Sequence, residues 1–231
     1  MQEIELSLSS TRRELVDGYR HKGMREDLVE LLKTKGITDE KVLGAIGSIP
    51  RHFFLDSAFD SIAYEDRAFP IAAEQTISQP YTVAYQTQLL KIKPGQKVLE
   101  IGTGSMYQSA VLSAVGAKVY TIERQKQLFD LIEKFEHIKQ YKNINFFFGD
   151  GFEGLPDLAP FDRILITAAA PKVPEKLWAQ LKVNGKMVIP LDEEGAAQRM
   201  MRLTKKKDGK EKRESFEAFS FVPMLEGKTS K

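Results

Sequence analysis

Cysteine is absent from the 231 residues. Without a thiol there is no disulfide, no thiolate zinc site and no cysteine nucleophile, and such a chain suits a reducing cytoplasm, the expected location. Long apolar runs are missing too: no uncharged stretch approaches the ~20 residues that cross a bilayer, and MQEIELSLSSTRRELVDGY holds no apolar signal core. The expectation is a soluble, non-exported protein. Nor is there an excess of one charge. Lys plus Arg number 34 against 32 Asp plus Glu, a formal +2, so no whole-molecule field gathers nucleic acid or a membrane surface, and neither is an expected partner. Histidine is scarce: His21, His52 and His137 are scattered without metal-ligand or triad spacing, and no metal site is expected.

What is present fills one large domain that needs no staple. Leu28, Leu31 and Leu32 form one helical stripe and Val42, Leu43 and Ile46 another, broken after by Gly36 and Pro50. Tyr64 to Tyr81 is irregular, and a helix is expected from about Thr82 to Leu90. Then short apolar runs alternate with helical segments: KVLEIG (97–102), KVYTIE (118–123), INFFFG (144–149), DRILIT (162–167) and KMVIPL (186–191). Near-continuous Val/Ile/Leu/Phe runs of this kind are strands buried on both faces of a parallel sheet. Two alternating stretches around Asp208-Gly209 follow, a hairpin signal at the sheet edge. Its Lys-rich tip is interrupted by acids and reads as a solvated turn, since edge strands are commonly protected by charge. The expected fold class is α/β: a doubly wound, mostly parallel, Rossmann-like sheet. It comprises a helical extension over 1–63, an α/β core over 64–192 and a C-terminal antiparallel hairpin and tail over 193–231.

The strand-loop-helix unit VLEIGTGSMYQSAVLSAV puts Gly102 and Gly104 where a strand gives way to a helix. Glycine there lets the backbone turn tightly and a ligand approach the main chain. Glu123 closes the next strand, where an acid can accept from both ribose hydroxyls. Together they point to an adenosine-containing cofactor. The dinucleotide fingerprint needs a third glycine where Tyr107 stands, which disfavours NAD and FAD.

Six segments in order, IPRHFFL (49–55), QTISQPYTVAYQTQLL (75–90), VLEIGTGSMYQ, GDGFEGLPDLAPFDRILITAAAP (149–171), LWAQLKVNGKMVIPL (177–191) and FVPML (221–225), resemble the signature segments of protein L-isoaspartate O-methyltransferases. The resemblance implies an S-adenosyl-L-methionine site made by Gln75, Thr76, Ile77, Glu100, Gly102, Thr103, Gly104, Ser105, Glu123, Arg124, Asp150 and Gly151. It implies Ser78 as the catalytic residue at the reacting centre. Thr167, Ala168, Ala169, Phe221, Val222 and Pro223 would shape, with Ser78, the groove for isoaspartyl-containing proteins and peptides. The implied role is protein repair: methyl transfer to the free carboxylate of a damaged site. Oligomeric state is left open.

Residue chemistry points the same way. A carboxylate is already ionised near pH 7, so methyl transfer to it needs position rather than a general base. Two alternatives stay open. One is a related methyltransferase with another nucleophile, although the loop Thr167-Ala168-Ala169-Ala170-Pro171 offers no grip on a planar amine. The other is an inactive binding protein, because Met106 stands where the family carries a glycine. A positive φ at Met106, with weakened cofactor binding, is the expectation.

Overall fold

The computed structural model describes residues 15–193 and 197–229. The parts of the expected N-terminal extension and C-terminal tail at 1–14, 194–196 and 230–231 lie outside the described residues. All five apolar runs are strands: β3 (Lys97–Ile101), β4 (Lys118–Glu123), β5 (Ile144–Phe148), β6 (Phe161–Ile166) and β7 (Leu181–Leu191), preceded by a short pair, β1 (Phe69–Pro70) and β2 (Thr76–Ile77). The hairpin is β8 (Gln198–Lys205) and β9 (Glu211–Phe219). The sheet order is β5-β4-β3-β6-β7-β8-β9. Its first four pairings are parallel and its last two antiparallel.

From β3 the chain winds outward through β4 to β5, then returns to the other side of β3 with β6. This reversal opens a crevice at the carboxyl ends of β3 and β6, where doubly wound sheets bind ligands. Helices α1 (Tyr19–Thr34), α2 (Glu40–Ser48), α3 (Pro80–Leu90), α4 (Tyr107–Ala114), α5 (Lys126–Lys134) and α6 (Glu175–Gln180) accompany the sheet. Val98, Leu99, Ile164, Leu165 and Val188 are buried, as near-continuous apolar strands require.

Several details differ from the sequence reading. Leu31 is 40% exposed and leaves the α1 stripe, whose buried members are Arg25, Leu28 and Leu32, with Met24 and Val29 packed beside them. Helix α3 begins at Pro80, whose fixed φ and missing N–H suit a first helical position. β7 begins at Leu181 rather than Lys186; after buried Leu181 its residues Lys182, Val183 and Asn184 are exposed and Asn184 has a positive φ, so no apolar run marks this end.

The histidines are not all scattered either. His21 and His52 stack with ring centroids 3.8 Å apart, and ligand atoms of Asp17, His21 and His52 lie within 4.8 Å of one another. Two of these residues are committed elsewhere. Arg25 grips both Asp17 oxygens at 3.0 and 2.8 Å, and its Nη1 also donates to Tyr64 Oη at 2.9 Å. The Val16 carbonyl can only accept, so His52 Nε2–H donates to it at 3.2 Å, and in the neutral ring Nδ1 then accepts from Tyr64 Oη at 2.7 Å. Burial lowers the His52 pKa, in keeping with this neutral tautomer.

Candidate active site

Three pieces of chain enclose one cleft at the crevice: the loops after β3, β4 and β6, the segment leading into α3, and the tail after β9. Gly102 has φ +95°, and a Cβ there would collide with Thr167 Oγ1. That hydroxyl sits 2.8 Å from Ile101 O and 3.0 Å from Gly102 O, so the β6 loop is locked to the β3 turn. Gly104, at φ +51°, donates its N–H to Glu123 Oε2 at 2.9 Å, while Glu123 Oε1 accepts from Gln125 N at 2.8 Å. Glu123 is 4% exposed and is no surface acid. It ties the glycine loop to β4 and lines the cleft, and each carboxylate oxygen retains a second lone-pair site.

Met106 is the N-cap of α4 with φ 69° and ψ −4°, the left-handed region, as expected for a residue in a glycine's place. Its side chain is 7% exposed and packs into the core, outside the cleft lining.

Gln75, Thr76, Ile77 and Ser78 form the second wall. Ser78 is not the cap of α3: Gln79 occupies that position and makes no side-chain capping bond. The Ser78 carbonyl accepts from Arg51 Nη2 at 2.8 Å. In the third wall, Phe221, Val222 and Pro223 are held by Ala169, whose N–H donates to Val222 O at 2.8 Å and whose carbonyl accepts from Met224 N at 2.7 Å.

Thr103, Ser105, Arg124, Gly151, Thr167 and Ala168 also line the cleft. The Thr103 hydroxyl is turned to Thr121 Oγ1 at 2.7 Å, and Arg124 donates to Gly227 O at 3.0 Å, holding the tail. Three expected residues stand outside the lining. Glu100 is fully buried behind the glycine loop, accepting from Ser109 Oγ, and burial pushes its pKa up to about 8. Asp150 makes a turn, accepting from Phe152 N at 2.8 Å, and takes Gly227 N at 2.7 Å. Ala169 acts through its backbone, as above. Conversely, Thr82, Val83, Gln108 and Ser220 line the cleft without having been singled out. Their signal was spatial: Thr82 and Val83 follow Ser78 on the first turns of α3, and Ser220 precedes Phe221.

The residues fit S-adenosylmethionine. Gly102 stands where a Cβ would strike Thr167 and Gly104 adopts a left-handed φ, which together leave the loop backbone open to a ligand, and an acid ends β4 at the cleft. The family model for protein-L-isoaspartate(D-aspartate) O-methyltransferase matches residues 23–229. The chain belongs to that family. A protein-L-isoaspartate O-methyltransferase of Christiangramia forsetii is 56% identical over 213 residues, 92% of this chain and 99% of that one. A solved protein-L-isoaspartate O-methyltransferase superposes with a TM-score of 0.77 at 29% identity, over 86% of this chain and 65% of that chain. A beta-aspartate methyltransferase from Plasmodium falciparum, solved in complex with S-adenosyl-L-homocysteine, superposes with a TM-score of 0.73 at 26% identity, over 87% of this chain and 98% of that one. The mostly parallel sheet with its C-terminal antiparallel hairpin is therefore the Rossmann-like methyltransferase fold of this family.

Proposed function

We propose that the cleft aligns the free carboxylate of an isoaspartyl residue, in a damaged protein or peptide, with the methyl group of S-adenosylmethionine, Ser78 orienting the carboxylate. The family to which the chain belongs makes it an S-adenosylmethionine-dependent protein carboxyl O-methyltransferase. The observation that carries the residue roles is that Ser78, released from capping α3, shares one cleft with the glycine loop and with Thr167 and Phe221.

When bound, the cofactor supplies an electrophilic methyl group on a sulfonium. Transfer would join a carboxylate oxygen to that carbon and leave the carbon–sulfur bonding pair on sulfur. No proton moves, because the carboxylate is already ionised near pH 7. The chain's residues therefore bind, orient and exclude water, and alignment alone can supply about 7 to 11 kcal/mol of barrier lowering. Glu123 and the glycine loop hold the adenosine end, Ser78 directs the carboxylate oxygen, and Phe221 to Pro223 carry the flanking peptide. The neighbouring main-chain amide nitrogen then attacks the methyl ester and methanol leaves, giving a succinimide that can hydrolyse to normal aspartate or return to isoaspartate for another round, which is the sense in which the reaction repairs. We place this activity in the cytoplasm, in keeping with the cysteine-free sequence; among the described residues no helix is long and apolar enough to cross a membrane.

Ser78→Ala tests the central role. Turnover should fall about 10- to 1,000-fold while cofactor affinity stays within a few-fold, the pattern of a lost orienting hydrogen bond in the transition state. Unchanged turnover would remove Ser78 from the chemistry.

A further inference from the structure

Arg51 is the largest side chain buried to completion among the described residues, at 0% exposure, and the chemistry above makes no use of it. Its hydrogen bonds go to carbonyls rather than to a carboxylate: Nε donates to Ala63 O at 3.0 Å and Nη2 to Ser78 O at 2.8 Å. Nη1 is buried and has no hydrogen-bond partner among the described residues. The guanidinium centre lies 4.8 Å from the centroid of the Tyr107 ring, itself part of the cleft lining. Asp66, the acid whose field reaches Arg51, is already engaged, with Oδ2 2.6 Å from Lys35 Nζ and Oδ1 accepting from Tyr81 N at 2.7 Å. Burial without a compensating carboxylate pulls the Arg51 pKa down to about 10, which still leaves it charged at neutral pH.

Other buried cations are differently placed. Arg25 is paired with Asp17, and Arg163 spends Nε, Nη1 and Nη2 on the carbonyls of Leu90, Asp162 and Lys91. Arg51 alone among these three is bonded to the residue that the proposed reaction places at the substrate carboxylate. A buried charge costs stability unless something offsets it, and a positive charge just behind an anion-binding position is offset when the anion arrives.

We propose that Arg51 is a positioning and charge-complementing residue: bonded to the Ser78 carbonyl, it supplies, through the wall of the cleft, the positive charge that selects an ionised substrate carboxylate over a neutral side chain. This rests on the reading that the Ser78 end of the cleft receives the isoaspartyl carboxylate. Arg51 touches no reacting atom. The negative charge on the carboxylate fades as its oxygen bonds the methyl carbon, so the charge of Arg51 favours binding more than the chemical step. Its removal therefore acts chiefly on peptide affinity and KM, beyond whatever the loss of the Ser78 carbonyl bond does to kcat.

The test uses the full chain loaded with S-adenosylhomocysteine and calorimetric titration of two peptides that differ only at the damaged residue, one isoaspartyl and one isoasparaginyl, the latter neutral and of nearly the same shape. In Arg51→Gln the isoaspartyl peptide should weaken roughly 10- to 100-fold and the isoasparaginyl peptide less than about threefold, with S-adenosylhomocysteine affinity retained. Arg51→Lys, which keeps the charge, should keep most of the preference. A purely structural role predicts instead that both peptides weaken equally in Arg51→Gln, and that result would overturn the proposal. Should Arg51→Gln not fold, the wild-type protein still decides. A preference carried by a buried charge stays within about twofold between roughly 50 and 500 mM salt, whereas one carried by exposed cations collapses over that range and overturns the proposal. Wild-type protein that binds isoaspartyl and normal aspartyl peptides alike would instead overturn the reading of the cleft itself.

Discussion

Met106 shows how one residue can belong to a motif and still break it. A methionine at φ 69° carries a backbone strain of about 1 to 3 kcal/mol that a glycine escapes. It persists because the rest of the turn is over-determined: Met106 N–H donates to Thr103 O at 2.8 Å, and its carbonyl accepts from Ala110 N at 3.0 Å as the first bond of α4. Burial of the side chain, worth about 1.5 to 3 kcal/mol for a methionine, is large enough to offset the strain. Met106→Gly therefore divides the two effects. Cofactor affinity by calorimetry should rise about three- to thirtyfold as the loop relaxes, a gain of about 0.7 to 2 kcal/mol, while the unfolding midpoint gains nothing because the core contact is lost. Equal or weaker binding by the glycine variant would make Met106 an accommodated packing residue with no bearing on the ligand.

At the scale of elements, β3 carries an acid where an apolar residue is usual. Glu100 sits between buried Leu99 and Ile101, 0% exposed, under α4 and in contact with Ser109, and its Oε1 has no hydrogen-bond partner among the described residues. Burial raises its pKa from 4.5 to about 8. The folded protein therefore holds a proton that the unfolded chain releases between those values, and stability falls as pH rises through that window. Glu100→Gln should flatten this slope, removing up to ~1.4 kcal/mol per pH unit between about pH 5 and 8, as denaturant titrations at several pH values would record. Parallel curves for the two proteins would mean that Glu100 is ionised in the fold. Sequence could show an acid in this strand but not its role. The resemblance placed Glu100 with the cofactor residues, whereas the geometry puts it one layer behind them, because side chains alternate across the strand. The same limit applies to β1 and β2: their link uses Ala73 and Glu74 at positive φ, residues that give no turn signal.

At the scale of the whole molecule, what was legible is what repeats. Five apolar runs and a Gly-bearing turn after the first of them are enough to recognise a doubly wound sheet and to locate its crevice, because parallel strands buried on both faces are nearly continuous apolar runs. Juxtapositions across long sequence separations were not legible. His21 and His52 stack because α1 packs beside the short helical turn Arg51–Phe54 that follows α2. Arg51 reaches Ser78, 27 positions later, by the same fold-level folding back. The Ala169 strand end holds the tail that brings Phe221 to the cleft, a contact no local pattern announces. The last two of these links reach the cleft, where the proposed reaction requires a carboxylate to be held at a fixed place relative to a sulfonium methyl. Isoaspartate carries one more methylene in the main chain and one fewer in the side chain than normal aspartate, so the two present that group at different places. Transfer of labelled methyl from S-adenosylmethionine to an isoaspartyl peptide and to its aspartyl twin tests this most directly: kcat/KM should favour the isoaspartyl peptide by at least about tenfold, equivalent to ~1.4 kcal/mol of transition-state discrimination, and equal rates for the two would contradict the account.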